Sequence, residues 1–186
     1  MNHTDFELRN WRPEDLDSLV KYANNPRIAA RLTDRFPYPY TREAGEAFIA
    51  SATTGTPVTV LAIAMGGIAV GGIGLHPQSD VWCKNAELGY WLGEPYWGQS
   101  IVTYAIQHIT FYGFDHLPID RIFARPFGSN VASQRVLVKA GFTLEAKLSK
   151  TIFKNGHYED EYIYGIRRSD TKKADRKPLP GRLFIT

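Results

Sequence analysis

Ala86–Ile109 reads AELGYWLGEPYWGQSIVTYAIQHI, a strand pattern that passes through a turn containing Gly93, Pro95 and Gly98 and restarts as a helix after Gln99 and Ser100. A chain that leaves a strand, turns on small residues and enters a helix presents several backbone N–H groups without partners, backed by the positive end of the helix dipole. Phosphate oxygens fit such a place. This stretch is therefore the strongest candidate for holding an anionic cofactor, and the rest of the chain is read outward from it.

Upstream, Thr56–Met65 and Ile68–Leu75 are apolar runs separated by Gly66 and Gly67, a two-residue turn suited to positive φ and so to a hairpin. Phe6–Trp11 alternates as a short strand. Pro13, Glu14 and Asp15 then supply a helix start, with Leu16, Leu19, Val20 and Ala23 at helical spacing until Asn25 and Pro26. The segment RLTDRFPYPYT at positions 31–41 crowds aromatic residues and prolines into a loop before a helix over Arg42–Ser51. Two readings of that loop stand: it contacts a substrate, or it packs its rings against the body.

Downstream, Ile101, Tyr104, Ala105, His108, Ile109 and Tyr112 form one helical stripe, Arg121–Arg125 is a strand, and a second helix runs from near Asn130 to Gly141. Lys147–Lys154 and His157–Arg167 close around Asn155 and Gly156 as another hairpin. Ser169–Arg182, rich in Lys, Arg and Pro, begins a basic tail over 169–186, after a single domain over 1–168, with two readings: a solvated extension, or a segment ordered against the body.

At 186 residues and 44% hydrophobic content, the chain is long enough for one domain with a sizeable core. Its 22 Lys and Arg against 19 Asp and Glu give a net charge of +3, too weak to argue for nucleic acid as a partner. No apolar run approaches the roughly 20 residues that span a bilayer, so no membrane is expected. The single cysteine, Cys83, cannot form an intrachain disulfide, and MNHTDFELRN lacks a signal-peptide core, which together favour the cytoplasm. Cys83 has no activating partner nearby in sequence, His108 lies on an apolar stripe, and His76 follows the second strand of the first hairpin, free to line a pocket. Neither histidine belongs to a metal-binding array, and no metal is expected.

Two segments carry a family resemblance: AELGYWLGEPYWGQSIVTYA at 86–105, and SNVASQRVLVKAGF with TLEAKLSKTIFKNGHYEDEYIYGI at 129–166. In that order and spacing they resemble the GNAT N-acetyltransferase superfamily, in the branch of ribosomal-protein alanine or serine N-terminal acetyltransferases. The likeness runs from Leu8 to Arg168 and includes LRNWRPEDLDSLVKYANNP and FPYPYT. It implies an α/β (mixed α+β) fold, a twisted, mostly antiparallel sheet with splayed central strands flanked by helices, and acetyl-CoA lying in the gap. The implied activity is acetyl transfer by direct attack of a primary amine, with a protein or peptide N-terminus as the leading acceptor. A small amine or an antibiotic is the alternative acceptor, and a non-catalytic CoA-binding module the alternative role. Monomer and homodimer both remain open.

Mapped onto this chain, the family's pyrophosphate turn falls on Trp97, Gly98, Gln99, Ser100, Ile101, Val102 and Thr103, mostly through backbone N–H groups. Tyr90, Trp91 and Leu92 would run beside the pantetheine arm, and the N–H of Trp91 or Leu92 would face the developing negative oxygen. Asn130 either caps its helix or both caps it and contacts the cofactor. Ser133 matches a serine near the sulfur. Glu87 is the candidate base, its other reading being a strand glutamate held by a salt bridge. The chain departs from the family in Ser100, where glycine is usual, in Val102, in Tyr104, and in Ile152, where some members carry a glutamate.

Overall fold

The computed structural model describes residues 5–171 and 178–185. Eight strands form one sheet in the order β6-β7-β5-β4-β3-β2-β1-β8. They are β1 (Phe6–Asn10), β2 (Val60–Met65), β3 (Ile68–Pro77), β4 (Asn85–Leu92), β5 (Arg121–Ala124), β6 (Thr143–Lys154), β7 (His157–Arg167) and β8 (Arg182–Phe184). The helices are α1 (Leu16–Ala23), α2 (Pro26–Ala29), α3 (Arg42–Ala52), α4 (Ile101–His116) and α5 (Val131–Lys139). The sheet is antiparallel except at β4–β5 and β1–β8. The mixed, mostly antiparallel architecture agrees with the fold class expected from the sequence.

Both expected hairpins form, because both turns hold residues that tolerate positive φ. Gly66 and Gly67 sit at φ 56° and 82°, and Asn155 and Gly156 at 51° and 79°, which lets a two-residue loop follow the right-handed twist of its strands. Thr56–Thr59 lies outside β2, and β6 begins at Thr143, four residues before the expected start. The first helix opens as a single tight turn over Pro13–Asp15 before α1. The short helix α2 is not signalled by periodicity; Asn25 caps it by accepting from Arg27 N–H at 2.8 Å, with Pro26 at its first position.

The sheet separates two apolar layers. On one face Ile73, Leu75, Leu88 and Leu92 pack with Ile101, Ile106 and Ile109 of α4. On the other, Ala62 and Ala69 meet Trp11, Leu19, Tyr40 and Ile49 of the α1 and α3 layer. The chain beyond Ser169 has two readings from its sequence, solvated or ordered against the body. Residues 172–177 lie outside the described residues, but Arg182–Phe184 adds β8 in parallel beside β1, with Leu183 and Ile185 against the core. His108 serves the same seam, its Nε2 lying 2.9 Å from the Pro180 carbonyl oxygen.

No helix among the described residues is long and apolar enough to cross a membrane.

Candidate active site

The feature that creates a site is a fork in the sheet. β4 pairs with β5 only through Asn85↔Arg121, Ala86↔Ile122 and Glu87↔Phe123. Beyond Glu87, β4 stays with β3 as far as Leu92↔Gly71. The chain after β5 instead follows β7 through the bridge Phe127↔Glu161. The fork opens into a groove of about 2070 Å³ that reaches from the start of α4 to the tip of the β6–β7 hairpin.

Register decides which backbone groups face the fork. Gly93 N–H donates to Val70 O at 2.7 Å and Gln78 N–H to Asn85 O at 2.9 Å. Antiparallel pairing alternates, so the groups of Glu87, Gly89 and Trp91 point to β3 and those of Tyr90 and Leu92 point into the fork. This corrects one expectation. Trp91 N–H belongs to the β3 ladder, and of the two expected donors only Leu92 N–H faces the gap. The Trp91 side chain also turns away from the fork: it lies over Gly72, where an added Cβ would come within 2.8 Å of Nε1, and meets Phe36 edge-on at 5.7 Å.

At the end of β4 the chain is tied back on itself. The Trp97 indole N–H donates to Leu92 O at 2.7 Å, and Gln99 Nε2 donates to Pro95 O at 3.1 Å. Trp97 therefore spends its donor on the loop, while the Arg27 guanidinium lies 5.2 Å above its ring. Gly98 has φ 76°, and Ser100, the residue before α4, has φ 61° and ψ 3°. Only glycine occupies that region without cost, which is why Ser100 marks a departure from the family pattern. The first helical N–H to find an intrahelical acceptor is Tyr104, on Ser100 O at 3.2 Å. The N–H groups of Ile101, Val102 and Thr103 have no acceptor within the helix, at the positive end of a 16-residue dipole. The Ile101 and Thr103 side chains are buried and Val102 is half-buried, so at these positions the backbone is what the groove can use.

On the far side of the fork, Asn130 caps α5 by accepting from Ser133 N–H at 3.2 Å. Ser133 Oγ lies 2.6 Å from Tyr90 Oη, joining α5 to β4 across the groove. Burial pushes the Tyr90 hydroxyl up to about 12, against the lowering effect of the Ser133 hydrogen bond. Spacing along the chain does not reveal this pair, since the two residues meet only when α5 folds over β4.

Glu87 lies on the opposite face, with His76 directly across from it on β3. Both of its carboxylate oxygens accept from Arg125, at 3.0 and 3.1 Å. Arg125 also reaches Glu161 at 3.5 Å. Phe36 and Tyr40 of the aromatic loop pack together at 5.1 Å, as the packing reading of that loop has it, and also line the groove. Cys83 is exposed. Among the described residues no group of three His, Cys, Asp or Glu is placed to hold a metal ion.

Residues 5–143 match the family model of the acetyltransferase (GNAT) domain. The chain belongs to this family. A Bacillus subtilis protein described as the uncharacterized N-acetyltransferase YoaA is 34% identical over 97 residues, 52% of this chain and 54% of that protein. The ribosomal-protein-serine acetyltransferase of Escherichia coli is 33% identical over 81 residues, 44% of this chain and 45% of its own length. The chain thus spans about half the length of the curated relatives it matches. RimL, described as a ribosomal L7/L12 α-N-protein acetyltransferase in complex with coenzyme A, shares the fold with a TM-score of 0.78 at 22% identity, over 90% of this chain and 97% of that one. For a GNAT domain, the fork and the α4 N-terminus together suit a long thioester carrier with a pyrophosphate: strand-like open backbone groups at Tyr90 and Leu92, then unpaired N–H groups at 101–103.

Proposed function

We propose that the protein is an acetyl-CoA-dependent N-acetyltransferase that acts by direct attack of a primary amine, with the α-amino terminus of a protein or peptide as acceptor. The observation that carries this reading is the parting of β4 from β5 after Glu87, immediately upstream of the α4 N-terminus. Membership of the GNAT family supports the reaction class. The choice of acceptor draws on the E. coli relative, named for ribosomal-protein serine acetylation, and on acid–base chemistry. An α-amino group with a pKa of roughly 7.7–8.0 is partly neutral at pH 7, whereas lysine at about 10.4 is almost wholly charged and cannot attack.

When bound, acetyl-CoA supplies an acetyl group activated as a thioester. The N–H groups of Ile101, Val102 and Thr103 bind the pyrophosphate, with Gly98, Gln99 and Ser100 shaping the turn and Trp97 bracing it. Backbone groups of Tyr90 and Leu92 align the pantetheine arm as an added strand would. Leu92 N–H is aimed where negative charge develops on the carbonyl oxygen. Ser133, held between its helix cap and Tyr90, donates to the departing sulfur, and Asn130 keeps that turn of α5 in place. The amine approaches on the face that carries Glu87 and His76, and its proton leaves on that side.

Release of free CoA thiol from acetyl-CoA, measured against peptides beginning with serine or alanine, polyamines and aminoglycosides, tests the reading. Turnover on the peptides is expected. Turnover confined to a small amine would replace the acceptor, and CoA binding with no turnover on any amine would leave a binding module.

A further inference from the structure

We propose that His76 Nε2 is the atom that takes the proton from the attacking amine, and that Glu87, held by Arg125 directly across the strand pair, sets the charge beside it. The inference rests on the acetyltransferase reading above. It comes from the face that β3 and β4 present to the groove. Three cross-strand pairs lie side by side there: Gly72↔Trp91, Gly74↔Gly89 and His76↔Glu87. Gly89 leaves its stretch of sheet open beside His76, whereas over Gly74 a Cβ would meet Val60 Cγ2 at 3.1 Å and Thr59 O at 3.3 Å; the Trp91 indole and Phe36 stand at one end of this strip and His76 and Glu87 at the other.

His76 leans over that strip. A Cβ built on Gly74 would lie 3.5 Å from His76 Nε2, and one built on Gly89 3.6 Å from it. An acceptor nitrogen resting on the strip is therefore within reach of Nε2. Among the described residues none hydrogen-bonds a ring nitrogen of His76, so the lone pair is uncommitted. Glu87 differs on this point, because both of its oxygens already accept from Arg125. Three influences act on the imidazole: desolvation lowers its pKa from 6.5, the Glu87 carboxylate raises it, and the Arg35 guanidinium lowers it, with a net downward shift. The ring is exposed to the groove, and its downward shift favours the free base.

As the N–C bond forms, the amine nitrogen becomes acidic and one N–H proton passes to Nε2. The C–S bond breaks with its electron pair on sulfur, which takes a proton from water by way of the Ser133 hydroxyl. The imidazolium returns its proton to water through the mouth of the groove, so the step consumes no net proton. The strip also limits the acceptor, since a side chain at Gly89 would occupy the place of the amine. Its Cβ meets only ordinary contact distances, so Gly89→Ala folds and raises KM for the amine.

The test compares His76→Ala, Glu87→Gln and Arg35→Gln in the full chain, reading the acid limb of kcat against pH at saturating amine. His76→Ala is expected to lower kcat at pH 7 by about 100-fold, the lower end for general-base catalysis, to leave CoA affinity within about twofold, and to regain activity with added imidazole. Glu87→Gln moves the limb to lower pH and Arg35→Gln to higher pH, following the sign of each charge on His76. In the absence of any ligand, NMR titration of the His76 ring reads a pKa below 6.5. Full activity in His76→Ala, a limb abolished by Glu87→Gln, or a His76 that titrates above its ordinary value overturns the inference while the acetyltransferase reading stands. A wild-type protein that binds CoA and acetylates no amine overturns both.

Discussion

Ser100 carries the one left-handed backbone conformation at the mouth of α4 that a non-glycine residue holds. For an L-residue that region costs about 1–2 kcal/mol, and glycine avoids it while losing about 0.5–1 kcal/mol of chain entropy on folding. Ser100→Gly should therefore raise stability by about 0.5 kcal/mol, and Ser100→Val, with its branched side chain, should lower it by about 1–2 kcal/mol. Urea denaturation midpoints at constant m-value read both. The sequence showed serine in a glycine's place, but the dihedral behind that preference came only with the fold. Glu87 has the same history. It was legible as a groove-side acid, whereas Arg125, 38 positions on, was not legible as its partner because only the β4–β5 crossover brings them together.

At the scale of elements, the two glycine-containing hairpin turns were legible because they rest on local chemistry, as were α4 and α5 from their periodicity. The start of β6 was not. Its first turn bulges between Leu144 and Ala146, and Glu145 reaches Arg121 on β5 and Arg167 on β7. Gly165 makes room for this: a Cβ there would fall 2.3 Å from Glu145 Oε1. The hydrogen bond from Arg121 holds the Glu145 carboxyl below its ordinary 4.5. A lowered folded value means that its stabilising contribution is fully present above 4.5 and is lost as pH falls through the folded value. Between pH 5 and 3, Glu145→Gln should flatten the fall in the urea midpoint, with little change from wild type in the slope of that fall above pH 6. Gly165→Ala should displace the carboxylate and show the same flattening.

At the scale of the molecule, the parallel edge pair β1–β8 closes the sheet with the end of the chain. Leu183 and Ile185 pack half-buried on the core, Gly181 at φ 85° sets its backbone against the Phe6 ring, and Pro180 O meets His108. Ending the chain after Thr171 takes the Leu183 and Ile185 side chains off the core together with that seam, a loss of about 3 kcal/mol at roughly 1.5 kcal/mol for each of the two. For a domain of this size this corresponds to a fall of about 6–12 °C in Tm, measured by calorimetry. CoA affinity should survive, because β3, β2 and β1 stand between the fork and β8 in the sheet order, and the seam meets α4 at His108, about two turns beyond its N-terminus.

The sequence by itself determined the features that depend on neighbours along the chain: the two hairpins, the α4 and α5 stripes, the turn that leaves N–H groups bare before α4, and the Asn130 cap. Tertiary structure alone decided what depends on register and crossover. It turned Trp91 into the β3 ladder and Leu92 toward the fork, joined Tyr90 to Ser133, clamped Glu87 with Arg125, and set His76 over the open backbone of Gly89. Side-chain periodicity is local, but which backbone edge is left open and which groups meet across it depends on how strands far apart in sequence are paired.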